Sequence, residues 1–175
     1  MLGWPCPDMS NPDYPVIKVL NSLMGGRMTG RLFIELREKM SLGYEVSSFY
    51  PSRRQESRYV IYLGLKPENI EKTKKRLTEM INDLQINLVP EQELNDTKSY
   101  IHGVYVMDHQ TANRQAWYLG WWEILGGGYK NDDAYLATLN SVTPQDIQRI
   151  AKKYLTSENS VQIELVPSLP AAPAK

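Results

Sequence analysis

Leu23-Met24-Gly25-Gly26-Arg27-Met28-Thr29-Gly30-Arg31-Leu32-Phe33-Ile34-Glu35-Leu36-Arg37-Glu38-Lys39-Met40-Ser41-Leu42-Gly43-Tyr44 is the stretch on which the reading of this 175-residue chain turns. Just before it, Asn11-Pro12-Asp13 has the form of a helix start, with a capping Asn and Pro at the first helical position. Val16, Leu20, Leu23 and Met24 then recur at helical spacing, and Gly25-Gly26 ends that helix. Inside the stretch a second helix is predicted over 30–40, apolar along Leu32, Phe33, Leu36 and Met40. Gly43 allows the turn out of it. Beyond the turn, 44–50 and 58–66 read as strands, the second alternating Tyr59, Ile61, Leu63 and Leu65. The polar segment 51–57 makes them a hairpin.

Working outward, Pro67 opens a helix with Ile70, Leu77, Met80, Ile81 and Leu84 as its apolar residues, and Pro90 opens another with Leu94, Ile101, Val104 and Tyr105 on one face. Residues 111–125 carry Trp117, Trp121, Ile124 and Leu125 about one turn apart, stopped by Gly126-Gly127-Gly128. A short helix is predicted over 132–139. Thr143-Pro144-Gln145-Asp146 caps a last helix with Ile147, Ile150, Ala151 and Tyr154 inward. A closing strand is predicted over 160–166, alternating Val161, Ile163 and Leu165. The start, Met1 to Pro7, reads as the tail of a strand entering a Pro-punctuated loop, as in a piece of a longer polypeptide whose preceding strand is left behind. An exposed sheet edge there would favour a homodimer of the chain. Strands with helices grouped between them predict an α+β fold: a two-layer sandwich, helices covering one face of a mainly antiparallel sheet. One domain over 1–166 and a flexible Pro/Ala tail over 167–175 are expected.

Composition excludes several classes. Lys+Arg and Asp+Glu each number 20, so no net charge draws the chain toward nucleic acid or anionic lipid. The basic run Lys72, Lys74, Lys75, Arg76 is interleaved with Glu71 and Glu79 and reads as a solvated face. No apolar run approaches the ~20 residues of a membrane span, and Met1 to Pro7 lacks the features of a signal peptide; a soluble chain of unassigned compartment is expected. The single cysteine, Cys6, forms no intrachain disulfide. The two histidines, His102 and His109, lie about two helical turns apart, ~10 Å, too far to share a metal, and read as partly exposed helix residues. Neither H-x-x-E-H nor H-E-x-x-H occurs. The tryptophans read as core or interface anchors.

The opening stretch resembles the signature of the pitrilysin family of zinc metallopeptidases, which includes insulin-degrading enzyme and the mitochondrial processing peptidases. That signature reads L-G-G, then S-R-L-F-x-x-L-R-E-K-x-G-L-A-Y. Here Gly30 stands for the serine, and Ser41-Leu42-Gly43 precede the tyrosine. The resemblance implies homologous α+β domains working in pairs. One carries H-x-x-E-H and zinc; the other supplies an arginine and a tyrosine to the substrate. Without the zinc motif, but with Arg37 and Tyr44, this chain takes the second role. The resemblance therefore implies no cofactor here, zinc in a catalytic H-x-x-E-H domain supplied in cis or in trans, and an extended peptide as substrate.

In that role a neutral Tyr44 hydroxyl would meet the negative charge that develops on a peptide carbonyl under attack, and Arg37 would hold backbone carbonyls with its fixed donors. Without the resemblance, Arg37 reads as a favourable charge at the negative end of its helix and Tyr44 as a half-buried strand residue. Gly25 and Gly26 read equally as a helix end and as a loop passing close to substrate. The alternative function is a proteolytically inactive structural or interaction subunit of the same family. H-x-x-E-H in the same or a neighbouring gene separates the two.

Overall fold

The computed structural model describes residues 1–166; the expected tail over 167–175 lies outside the described residues. The elements are β1 (Leu2–Cys6), α1 (Tyr14–Met24), a widened helical segment (Phe33–Lys39), β2 (Gly43–Phe49), β3 (Ser57–Leu65), α2 (Ile70–Ile86), α3 (Glu91–Asp108), α4 (Ala112–Leu125), α5 (Asn131–Asn140), α6 (Pro144–Tyr154) and β4 (Val161–Gln162). The four strands form one antiparallel sheet in the order β2-β3-β1-β4. This is the α+β architecture expected.

The core forms where alternating strand residues meet helical stripes. Tyr59 and Ile61 of β3, Ile17, Leu20 and Leu23 of α1, and Ile147 and Ile150 of α6 are all buried. α6 starts as predicted. Thr143 Oγ1 accepts from the Asp146 N–H, and the Asp146 carboxylate accepts from the Thr143 N–H, a reciprocal cap with Pro144 in the first turn. α1 begins two residues later than the Asn11 signal suggests. Asn11 Oδ1 instead accepts from the Asp13 N–H in a turn of its own, and Pro15 occupies the first helical turn.

Asp13 fastens α1 to α6. Its buried carboxylate accepts from Arg149 Nη1 (2.7 Å), Lys153 Nζ (2.7 Å) and the Tyr154 hydroxyl (2.8 Å). Burial pushes the Asp13 carboxyl up, but the donors of Lys153, Arg149 and Tyr154 outweigh it and hold the group at about 2.

Three expectations need correction. The predicted closing strand over 160–166 is paired as strand only at Val161–Gln162, with one further exchange between Met1 and Ile163, and Val161, Ile163 and Leu165 are all exposed. In α4 the fully buried indole is Trp122; of the predicted stripe, Trp121 and Leu125 are half-buried against the core, but Trp117 is 52% exposed and Ile124 66%. In α3, Leu94 is buried but Val104 is exposed. α4 carries apolar residues on more than one face, so periodicity alone did not single out the buried one.

Candidate functional site

The site grows from how the chain gets from α1 to β2. α1 stops at Gly25, whose carbonyl accepts from the Ser48 N–H of β2 at 3.1 Å. A Cβ on Gly25 would sit 2.8 Å from that nitrogen, so only glycine lets the helix end approach the strand this closely. Gly25 is buried by this contact and Gly26 is exposed. Arg31 then locks the start of the next segment. Its Nε and Nη2 reach the two Glu93 carboxylate oxygens at 2.7 Å each, and its Nη1 reaches Asp83.

Over Phe33–Lys39 the helix widens. Met40 N–H donates to the Glu35 carbonyl and Leu42 N–H to the Leu36 carbonyl, five and six residues back. Such widened turns are rare and collect at functional sites. Leu32 and Leu36 anchor the segment in the core. Glu35 is taken up by Lys39 and Arg76. Arg37 stays exposed, its guanidinium over the Phe33 ring at 4.8 Å, with no ion pair among the described residues. Ser41 then turns the chain with φ +52°, a left-handed conformation that L residues other than Gly, Asn and Asp seldom adopt.

Tyr44 is the extra residue of a β-bulge. Gly43 faces Leu65 and Glu45 faces Gly64, leaving Tyr44 unpaired between them. The bulge throws its side chain outward: Tyr44 is 72% exposed. The ring rests on Gly64, where a Cβ would come within 2.6 Å of Tyr44 Cε2. The phenol makes no hydrogen bond among the described residues. It lines a groove of about 960 Å³ between the sheet and α2, with Leu63 and Leu65 of β3 and Leu77 and Ile81 of α2 among the walls. Arg37, Gly25 and Gly26 do not line this groove. Gly64 was missed by the sequence reading; its one signal is a lone glycine inside an alternating strand.

The histidines are not alike. His102 is exposed, and His109 is half-buried. Its ring is stacked between Tyr105 (3.8 Å) and Tyr118 (4.2 Å). Its Nδ1 lies 2.7 Å from the Tyr105 carbonyl, and its Nε2 lies 3.2 Å from each Asp132 carboxylate oxygen. His109 is thus a structural pin between α3 and α5. Burial pushes the phenols of Tyr105 and Tyr118 up to about 12, so both stay neutral. The residues present do not fit zinc: among the described residues no three His, Cys, Asp or Glu come together to hold an ion. No helix among them is long and apolar enough to cross a membrane.

Comparison with known proteins agrees with the motif. The family model for the peptidase M16 inactive domain matches residues 1–101, and the chain belongs to that family. Among relatives, the Bacillus subtilis protein named as zinc protease YmxG is 26% identical over 145 residues, covering 83% of this chain and 36% of that protein. The Bacillus subtilis protein YmfF, named as an inactive metalloprotease, is 27% identical over 144 residues, covering 82% and 33%. The chain therefore spans about a third of the length of the curated relatives it matches. The same fold is seen in the inactive peptidase domain of a Bordetella parapertussis protein (TM-score 0.79, 17% identity, 99% of this chain and 93% of that one). It is seen again in a protease from Helicobacter pylori (TM-score 0.82, 20% identity, 91% and 38%).

Proposed function

We propose that this chain is the non-catalytic, substrate-positioning half of a zinc-dependent peptidase, working with an H-x-x-E-H domain supplied in cis or in trans. The observation that carries the reading is Tyr44: a phenol set outward by a bulge, seated on Gly64, without a hydrogen-bond partner among the described residues, at the edge of an open groove. Exposed polar groups that make no contact within the fold are hydrated, and a ligand can take the water's place. Tyr44 and Arg37 hold theirs free, on either side of one turn. Tyr44 would donate to the carbonyl oxygen of the bond under attack, and Arg37 would hold the extended peptide by its backbone carbonyls. Gly64 acts as a positioning residue through the Tyr44 ring. Peptide-bond hydrolysis itself, and the zinc, belong to the partner domain.

The test uses the assembled enzyme. Tyr44→Phe is expected to lower kcat by about 10²–10³-fold with KM little changed, the range found for one oxyanion donor. Arg37→Ala is expected to raise KM more than it lowers kcat. Gly64→Ala is expected to lower kcat by displacing the ring while thermal stability changes little. An unchanged kcat in Tyr44→Phe sinks the reading. A second reading, an interaction subunit without proteolysis, draws on the exposed apolar face of α3 and α4, where Met107 (70% exposed), Trp117 and Ile124 lie uncovered. A wild-type assembly that forms stably but cleaves no peptide would favour it.

A further inference from the structure

A sheet has two faces, and the core is built on only one of them. Along β3, Tyr59 and Ile61 point into the core, so Arg58, Val60, Tyr62 and Gly64 point the other way. The register adds their neighbours on that second face: Glu45 lies opposite Gly64, Ser47 opposite Tyr62, and Phe49 opposite Val60. Tyr62 (41%) and Phe49 (40%) are large apolar rings left in the open, and Arg58 and Glu45 are exposed beside them. Val60 is buried by its neighbours yet stands outside the core cluster.

The Tyr44 ring belongs to this open face, because it lies over Gly64 where a side chain of that residue would stand. From there the face reads in rows two residues apart: Tyr44 over Gly64, then Tyr62, then Phe49 with Val60, then Arg58. Such rows are about 6.6 Å apart, which is also the spacing of alternate side chains in an extended peptide. Each row carries one large side chain, flanked by the small Ser47 of β2 or by Gly3 and Pro5 of β1, so the track is one chain wide. Its ends differ in charge. Glu45 stands in the first row and Arg58 in the last, six residues or roughly 20 Å away. Neither forms an ion pair among the described residues.

We propose that this open face is the track on which the peptide substrate lies, and that it selects extended segments with a basic residue, apolar residues two and four positions further on, and an acidic residue six positions on. The basic side chain faces Glu45 beside Tyr44, the apolar pair faces Tyr62 and Phe49, and the acidic side chain faces Arg58. The side chains between them point away from the sheet and are unrestricted. The inference rests on the reading of Tyr44 given above and supplies its substrate class. A peptide is favoured over a second copy of the chain because a single file of four rows is far narrower than the roughly 800 Å² that each partner of a stable dimer buries. Opposite charges at the two ends, spaced in phase with an extended backbone, add complementarity that fixes its register.

Four peptides test this by amide chemical-shift titration of the chain: Lys-Ser-Leu-Ser-Leu-Ser-Glu, the same with Lys in place of Glu, the same with Glu moved to the fifth position after Lys, and the same with Ser for both Leu. The first is expected to bind about fivefold more tightly than each of the others, with shifts along 58–64. Arg58→Glu is expected to reverse the preference between the Glu-ended and Lys-ended peptides. Tyr62→Ala is expected to weaken the Leu peptide about fivefold and to leave the all-Ser peptide unchanged. Equal affinity for all four, no reversal in Arg58→Glu, or no binding overturns the proposal, as does a dimer of the chain formed through this face. The kcat of Tyr44→Phe in the assembled enzyme keeps the two readings apart. A lowered kcat without the peptide preference leaves the catalytic reading standing and sinks the track; an unchanged kcat with the preference intact does the opposite.

Discussion

The Asp13 node and the corner from Phe33 to Tyr44 place polar groups under opposite rules. Asp13 is buried, and three donors saturate its carboxylate. In the corner, Arg37 and Tyr44 are exposed without polar partners among the described residues, the helix widens, and Ser41 sits in a left-handed conformation. One region satisfies every group and fixes α1 against α6. The other accepts local strain and leaves donors free. Satisfied groups hold a fold together; donors held open by a rigid frame are what a ligand can use.

Four substitutions sharpen that contrast. Tyr44→Phe carries the largest effect, the kcat loss given above, equal to about 2.7–4 kcal/mol in the transition state, while the unfolding free energy stays within about 0.5 kcal/mol of wild type. Asp13→Asn reverses the pattern: peptide-cleavage chemistry is untouched, but stability falls by about 2 kcal/mol, measured by urea unfolding. The same carboxylate sets an acid limit. Its folded value of about 2 lies below the ordinary 3.8, so its stabilisation is complete above roughly pH 4 and is lost as pH falls through about 2. Asp13→Asn flattens that part of the stability profile; an unchanged profile would show that other carboxylates govern it.

Gly25→Ala comes next. Its Cβ would meet both the backbone nitrogen and the hydroxyl of Ser48 under 3.0 Å, and a loss of about 1–2 kcal/mol is expected. If thermal unfolding is unaltered, the close approach of α1 to β2 is not needed. The smallest effect is a gain. Ser41→Gly relieves the left-handed strain and is expected to add about 0.5–1 kcal/mol, a rise in Tm of a few degrees. Glycine also occupies this position in the family signature that the sequence resembles. A drop in Tm would mean that Ser41 contributes more than its backbone conformation costs.

Much of the fold is legible because the signals are local. The glycine pair ending α1, the Thr143–Asp146 cap and the β2–β3 alternation depend on neighbouring residues alone. What the sequence hides depends on distant partners. Helical spacing cannot distinguish ordinary turns from the widened ones at 33–39, since both place Leu32 and Leu36 inward. The bulge at Tyr44 follows from register against Leu65 and Gly64, which no local pattern records. His109 looks like any exposed helical histidine until α5 brings Asp132 to it and α4 brings Tyr118. Arg37 and Tyr44 stood out only through a motif resemblance; their exposure could not be read from composition.

The uneven placement of the indoles also makes the molecule its own optical reporter. Trp4 is buried against Tyr59, at a centroid separation of 5.9 Å, whereas Trp117, Trp121 and Trp122 lie together on α4 at graded depths. Emission from a Trp4→Phe form would thus follow events at the α4 surface, such as the arrival of a second domain. A form keeping Trp4 alone would follow the sheet.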